Sequence, residues 1–239
     1  MKPTEKLQKT IYDEIIGRIK QDDSSVPITV NGYTYYTRFE KGQDYPYYCR
    51  EKAEDNAKEE VMLDVPTMAD GYAYYAIGGR SVSENNKILA YAVDTVSRRE
   101  YTLYFKNLET GEILSDKIEN TTGGITWAND NQTVFYVKKD PQTLRAYQIF
   151  KHRLGTDTSD DELVYEEKDE TFSCSISKTK SRQYLMIGAS QTLSTEYRFL
   201  DANTPDGKWQ VVHQREKNLE YFVDHYKGDF YIITKDQAK

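Results

Sequence analysis

Three runs decide the fold: Lys87-Ile-Leu-Ala-Tyr-Ala-Val93, Glu100-Tyr-Thr-Leu-Tyr-Phe-Lys106 and Ile113-Leu-Ser-Asp-Lys-Ile118. Apolar and aromatic residues alternate there with small or polar ones, the two-residue period of a strand. A polar turn, Asn107-Leu-Glu-Thr-Gly111, separates the last two. After Gly123-Gly124 the same order restarts as Ile125-Thr-Trp127, Thr133–Val137, Ala146–Lys151 and Glu162–Tyr165. A meander of about four short strands that repeats along a chain is a propeller blade.

The repeat extends outward in both directions. The first apolar residue after each polar turn falls at Tyr33, Ile88, Val134, Leu185 and Phe230, at intervals of 55, 46, 51 and 45 residues. Periods of that length mark a β-propeller. The expected fold is therefore all-β, with blades over about 26–65, 72–118, 123–167 and 171–213 and a partial blade over 219–239. Ahead of them, residues 1–25 read as a short amphipathic helix and a linker. Leu7, Ile11, Ile15 and Ile19 recur every four residues, which places one apolar stripe on a helix from Leu7 to Lys20. That stripe packs either on the propeller's own rim or on another domain. Asn31-Gly32 is the strongest hairpin signal in the chain. Tyr45–Tyr48 reads as a strand containing Pro46, and 51–60 as a charged hairpin loop.

Composition narrows the partners. The 239 residues include 21 Tyr and only 2 Trp, as suits half-buried strands filled by amphipathic rings. The net charge of −7 leaves no broad basic surface for nucleic acid and favours cationic ligands. No apolar run has the length of a membrane span, so no membrane partner is expected. The opening Met1-Lys-Pro-Thr-Glu5 has no signal-peptide character, which points to the cytoplasm. Cys49 and Cys174 define no disulfide framework and read as small apolar residues in strands.

No residue pattern here carries chemistry. There is no Gly-x-Ser-x-Gly elbow, and the nearest run, Gly78-Gly-Arg-Ser-Val-Ser83, lacks the second glycine and reads as lying before a strand. His152, His213 and His225 each fall in or beside strand patterns and read as structural. The acidic run 157–162 lacks the central glycine and distal glutamate of a calcium loop and reads as a hairpin loop. No catalytic, cofactor-binding or metal-binding residue is assigned. One surface does stand out. In a four-stranded meander alternate loops fall on alternate ends, so 94–99, 138–145 and 189–195 share one end. They carry Arg98, Arg99, Lys138, Lys139 and Arg145 on an otherwise acidic chain. These cations read either as solvated loop tips or as an interface for a partner domain with acidic groups.

Longer words then resemble a known family. Asp94-Thr-Val-Ser-Arg-Arg-Glu-Tyr101, Phe105-Lys-Asn-Leu-Glu-Thr-Gly111, Phe135–Leu144 and Tyr165–Thr171 are similar to the propeller of the oligopeptidase B branch of the prolyl oligopeptidase family. Lys6–Ile19 and the Asn31-Gly32-Tyr33 region also fit, so the resemblance covers nearly the whole chain. It implies about four and a half blades of a seven-bladed propeller that sits on an α/β-hydrolase domain absent from this chain. The parent is expected to be a serine endopeptidase that cleaves short peptides after Arg or Lys. The propeller would limit access to its site. The Ser, Asp and His of the family belong to the other domain, so none is carried over, and the chain is expected to be inactive alone. Met1 is expected to be an internal residue of the parent. A ring cut in mid-blade should leave apolar faces bare and the chain prone to association. The alternative is a free-standing propeller that binds a protein or peptide.

Overall fold

The computed structural model describes residues 2–235 and divides the chain into two compact units, Met1–Tyr72 and Ala73–Lys239. In the first, helix α1 spans Glu5–Arg18 and is preceded by a 3-10 turn. Exposed i,i+4 pairs such as Lys9–Asp13 support it, each stabilising a helix by a few tenths of a kcal/mol. It starts and stops two residues earlier than its apolar period suggests. Leu7, Ile11, Ile15 and Ile19 are all exposed, so the stripe is not buried. Strands β1 (Ile28–Val30), β2 (Tyr33–Arg38), β3 (Tyr47–Lys52) and β4 (Glu60–Asp64) then form one antiparallel sheet in sequence order. Asn31 and Gly32 both take positive φ, 51° and 78°, as a two-residue hairpin with the twist of its strands requires. Pro46 lies just before β3 rather than within it, which frees every N–H of that strand for pairing. The Asp64 carboxylate accepts from the Thr67 N–H and caps the short helix α2 (Val65–Met68).

In the second unit, β5 (Ala76–Val82), β6 (Ile88–Asp94), β7 (Tyr101–Asn107), β8 (Ile113–Trp127), β9 (Thr133–Lys139), β10 (Ala146–Arg153) and β11 (Glu162–Glu166) follow one another as a single seven-stranded antiparallel sheet. Strands β12 (Ser173–Lys178), β13 (Tyr184–Gln191), β14 (Ser194–Asp201) and β15 (Gln210–His213) form the next sheet. A hairpin of β16 (Tyr221–Tyr226) and β17 (Asp229–Thr234) follows. The fold is a run of β-propeller blades. Two expectations need correction. The segments 113–118 and 125–127 are one strand, because β8 serves as the outer strand of the second blade and, past Gly123, as the inner strand of the third. The Gly78–Ser83 run does not precede a strand but lies within and just after β5, so Ser81 is a ladder residue and no nucleophile turn.

The blades hold together face to face. Between the second and third, Ala90, Ala92, Leu103, Phe105, Ile118, Trp127, Val134 and Tyr136 form a buried layer. Between the third and fourth, Phe135, Val137, Ile149, Cys174, Ile176, Leu185 and Ile187 do the same. Cys174 is thus a core residue, and burial pushes its thiol up to about 12. Cys49 is likewise buried and free.

Inner strands must also approach one another's backbone. A Cβ on Gly79 of β5 would sit 1.9 Å from the Gly123 carbonyl oxygen of β8, inside any tolerable contact. The Gly78-Gly79 pair is also where β5 slips register against β6. Gly79→Ala should therefore destabilise the protein by about 1–3 kcal/mol or more, as overpacking does. Gly17→Ala on the exposed helix, where a Cβ meets nothing within 4 Å, should instead be neutral or stabilising. Urea melts of the two variants check this, and a Gly79→Ala midpoint equal to wild type would refute the close approach.

Candidate functional site

Two polar belts cross the blades of the second unit, one at each end of the strands. At the loop end, Asp94 closes β6 with a buried carboxylate that accepts from the N–H of Val96 at 2.8 Å and of Arg99 at 2.7 Å. Those bonds hold Ser97 and Arg99 in left-handed backbone, φ 60° and 56°, which costs a non-glycine residue about 1–2 kcal/mol. Lys139 donates to the carbonyls of Arg98 and Arg99 from the neighbouring blade. Burial lowers its pKa, with Arg99 and Arg98 adding to the effect against Glu100 and Asp94. Arg98 and Arg99 themselves are exposed.

The five cations expected at this end do not act alike. Lys138 lies over the Phe150 ring at 4.9 Å. Arg145 turns inward and donates to the carbonyls of Glu167, Asp169 and Phe172, which ties down the connector between the third and fourth blades. Only the Arg98–Arg99 pair presents its guanidinium groups outward from a loop fixed beneath it. In the fourth blade the corresponding turn is only residues 192–193, between β13 and β14, and adds no charge.

Beside Arg145 lies a group that no spacing in the sequence signals. Arg215 pairs with buried Glu167 and covers the Phe172 ring at 3.6 Å. Burial alone would raise the Glu167 pKa, but the bonds from Arg215, Tyr165 and the Asp169 N–H outweigh it and hold the carboxyl below its usual range.

At the turn end, the belt joins three inner strands. Lys178 Nζ bonds Glu84 Oε1 at 2.6 Å and Asn129 Oδ1 at 2.9 Å, and Arg182 pairs with Glu84 from the other side. Asn129 also donates to Asn203 Oδ1 at 3.0 Å, and the Asn85 N–H donates to Asn131 Oδ1 at 2.7 Å. Glu84 follows β5, Asn129 follows β8 and Lys178 ends β12, so each blade supplies one member. A pocket of about 360 Å³ opens beside them, lined by Ser81, Trp127, Ser177 and neighbours on these strands. Burial lowers the Lys178 pKa although Glu84 opposes it. Among the described residues no group of His, Cys, Asp and Glu is arranged to hold a metal. No helix among them is long and apolar enough to cross a membrane.

Successive antiparallel sheets bound to one another at both ends of their strands define a β-propeller domain. The family description "Prolyl oligopeptidase, N-terminal beta-propeller domain" matches residues 1–239, and the chain belongs to that family. It is 42% identical to dipeptidyl aminopeptidase BI of Pseudoxanthomonas mexicana over 98% of its own length and 34% of that protein. It is 32% identical to protease 2 of Moraxella lacunata, over 100% of the chain and 35% of the relative. Among solved structures, oligopeptidase B from Leishmania major superposes with a TM-score of 0.91 at 31% identity, covering 98% of this chain and 34% of that one. The chain thus spans about a third of the length of the relatives it matches.

The Asp94 loop can be tested directly. Asp94→Ala removes two charge-assisted bonds to backbone N–H groups, of the kind that cost about 0.5–2 kcal/mol at helix caps. The loop should open locally while the rest of the fold stays intact. Exchange of the Val96 and Arg99 amides and tryptic cleavage after Arg98 or Arg99 should both quicken. Unchanged cleavage would show that the carboxylate does not hold the loop.

Proposed function

We propose that this chain is the access-limiting propeller portion of a serine oligopeptidase. In the whole protein it would form part of a seven-bladed ring seated on an α/β-hydrolase domain. The observation that carries the reading is the Glu84–Lys178–Asn129 belt, which ties the inner strands of three successive blades at one end. Inner strands tied to one another cannot spread, and a bore of fixed width admits an extended peptide while excluding a folded protein. The relatives' names, a dipeptidyl aminopeptidase and a protease, support peptide hydrolysis as the activity served. The reading includes cleavage after Arg or Lys, as the resemblance to the oligopeptidase B branch implies, and a net charge of −7 is compatible with cationic peptides. Two free, buried cysteines fit a reducing cytoplasm.

The Arg98–Arg99 loop is assigned to the interface with the hydrolase domain, where acidic groups would face it. Lys138, Lys139 and Arg145 belong to the same surface, the last two chiefly as its scaffold. Cations on a pre-formed loop lose little entropy on docking.

Two outcomes follow in the full-length protein. Removing the belt with Glu84→Gln and Lys178→Met should raise cleavage of a folded basic protein relative to a short arginyl peptide, with little change in the short-peptide rate. An unchanged ratio in a folded double variant would end the gating assignment. Separately, Arg98→Ala with Arg99→Ala should flatten the salt dependence of kcat/KM, because exposed charge pairs are screened over about 10 Å at 0.1 M salt. An unaltered salt slope would remove these arginines from the interface.

A further inference from the structure

His152 lies on β10 with 1% of its surface exposed, and it stands between the carboxylates of Asp116 and Asp161, whose side chains are 5% and 2% exposed. Its Nδ1 is 2.6 Å from Asp161 Oδ1, and its Nε2 is 3.1 Å from Asp116 Oδ1. Asp116 belongs to the part of β8 that closes the second blade, whereas His152 and Asp161 belong to the third. A neutral imidazole has one N–H and one lone pair, so between two carboxylates it would turn the lone pair toward an anionic oxygen. Only the doubly protonated ring donates to both.

We infer that His152 is held as an imidazolium at neutral pH and that Asp116–His152–Asp161 is a protonation-dependent bolt between the second and third blades. The surrounding groups favour this charge. Tyr136 of β9 donates its hydroxyl to Asp161 Oδ2 at 2.7 Å, and the Gly155 N–H donates to Asp116 Oδ1 at 2.5 Å. Both are neutral donors. Phe105 of β7 stacks on the imidazole with centroids 6.1 Å apart and brings no charge. The neighbouring cations are engaged elsewhere: Lys151 with Glu162 and Asp206, Arg153 with Gln132, and Lys117 with Glu119. Asp157 of the adjoining loop accepts from the Ser159 N–H, at an exposed position. The charge that balances two buried carboxylates is therefore the ring itself, since isolated buried charges are costly. Burial opposes the charged ring, but the bonds to Asp161 and Asp116 outweigh it, and the pKa is raised above the ordinary 6.5.

The sign of the linkage follows. A raised folded-state pKa gives stability that is fully present below the unfolded value of about 6.5 and lost as pH rises through the folded value. The bolt is closed at neutral pH and opens as pH rises through the folded value of His152.

The test uses the full chain labelled with 15N-histidine, His152 being assigned by the signals lost in His152→Gln. Both ring nitrogens of His152 should carry protons at pH 7 and should titrate above free histidine. Across that titration the unfolding constant of wild type relative to His152→Gln should grow by at most roughly tenfold per pH unit, the limit for one proton. Exchange of the Gly155 amide should quicken over the same range. Asp161→Asn, which keeps a hydrogen-bonding group, should bring the titration down, and it serves equally if His152→Gln does not fold. A bare ring nitrogen at pH 7 in the wild type would overturn the inference, even if a carboxyl held the proton. Gly155 exchange that ignores the titration would overturn the bolt.

Discussion

The layer between successive blades is the constraint on which the rest of this structure depends. A four-stranded sheet has two faces and no core of its own, so each blade is stable only against its neighbours. In the second unit that dependence is met by Trp127, Phe105, Tyr136 and small alanines on one side and by Phe135, Ile149 and Leu185 on the other. The Phe105–Trp127 edge contact, with centroids 6.1 Å apart at 79°, is worth about 0.5–1.5 kcal/mol beyond the area it buries. Toward the inner strands the space closes until backbone meets backbone, which is why Gly79 faces Gly123 with no room for a methyl group. Large residues in the middle and glycine at the inner strands are two expressions of one converging shape.

Apolar layers are non-directional, so register between blades is specified further by directional polar bonds. The polar belts supply the missing direction. Glu84 meets a lysine from two blades away, and the Trp127 Nε1–H donates to the Ser81 carbonyl at 2.9 Å, so a slip of one residue breaks several buried bonds together. At the opposite end Arg145 and Arg215 perform the same task on the Glu167–Phe172 connector. Breaking a buried pair by removing one partner costs about 3–5 kcal/mol, far more than a surface pair contributes. The charges that matter to this fold are therefore the buried minority and not the many exposed lysines and glutamates.

Much of this was legible in the sequence. The two-residue alternation and the 45–55-residue interval identify blades, because both follow from local geometry. The basic loops were legible as a set but not as individuals. Arg145 and Arg98 look alike in sequence, yet one is consumed by three carbonyls and the other is exposed. Glu84 and Lys178 could not be paired, since their contact depends on blade curvature across 94 residues. Nor could His152 be matched to Asp116, although the acidic run at 157–162 that supplies Asp161 was visible as a loop. Continuous β8 was missed because Gly123-Gly124 reads as a turn, whereas here the glycines let one strand pass between two blades.

The hairpin of β16 and β17 shows how the two kinds of constraint combine. Two strands alone are at best marginally stable in water. One face of this pair is nevertheless held: Tyr221 is buried, its hydroxyl donates to the His213 carbonyl at 2.8 Å, and His225 bonds Ser181 at 2.8 Å among the rings of Tyr184 and Phe230. On the other face Phe222 is 60% exposed and Ile233 74%. Polar bonds to the preceding blade thus hold the hairpin's buried face and fix its position against that blade. In a structure built by nearest-neighbour stacking, those bonds tie a two-stranded hairpin, marginal by itself, to the sheet beside it.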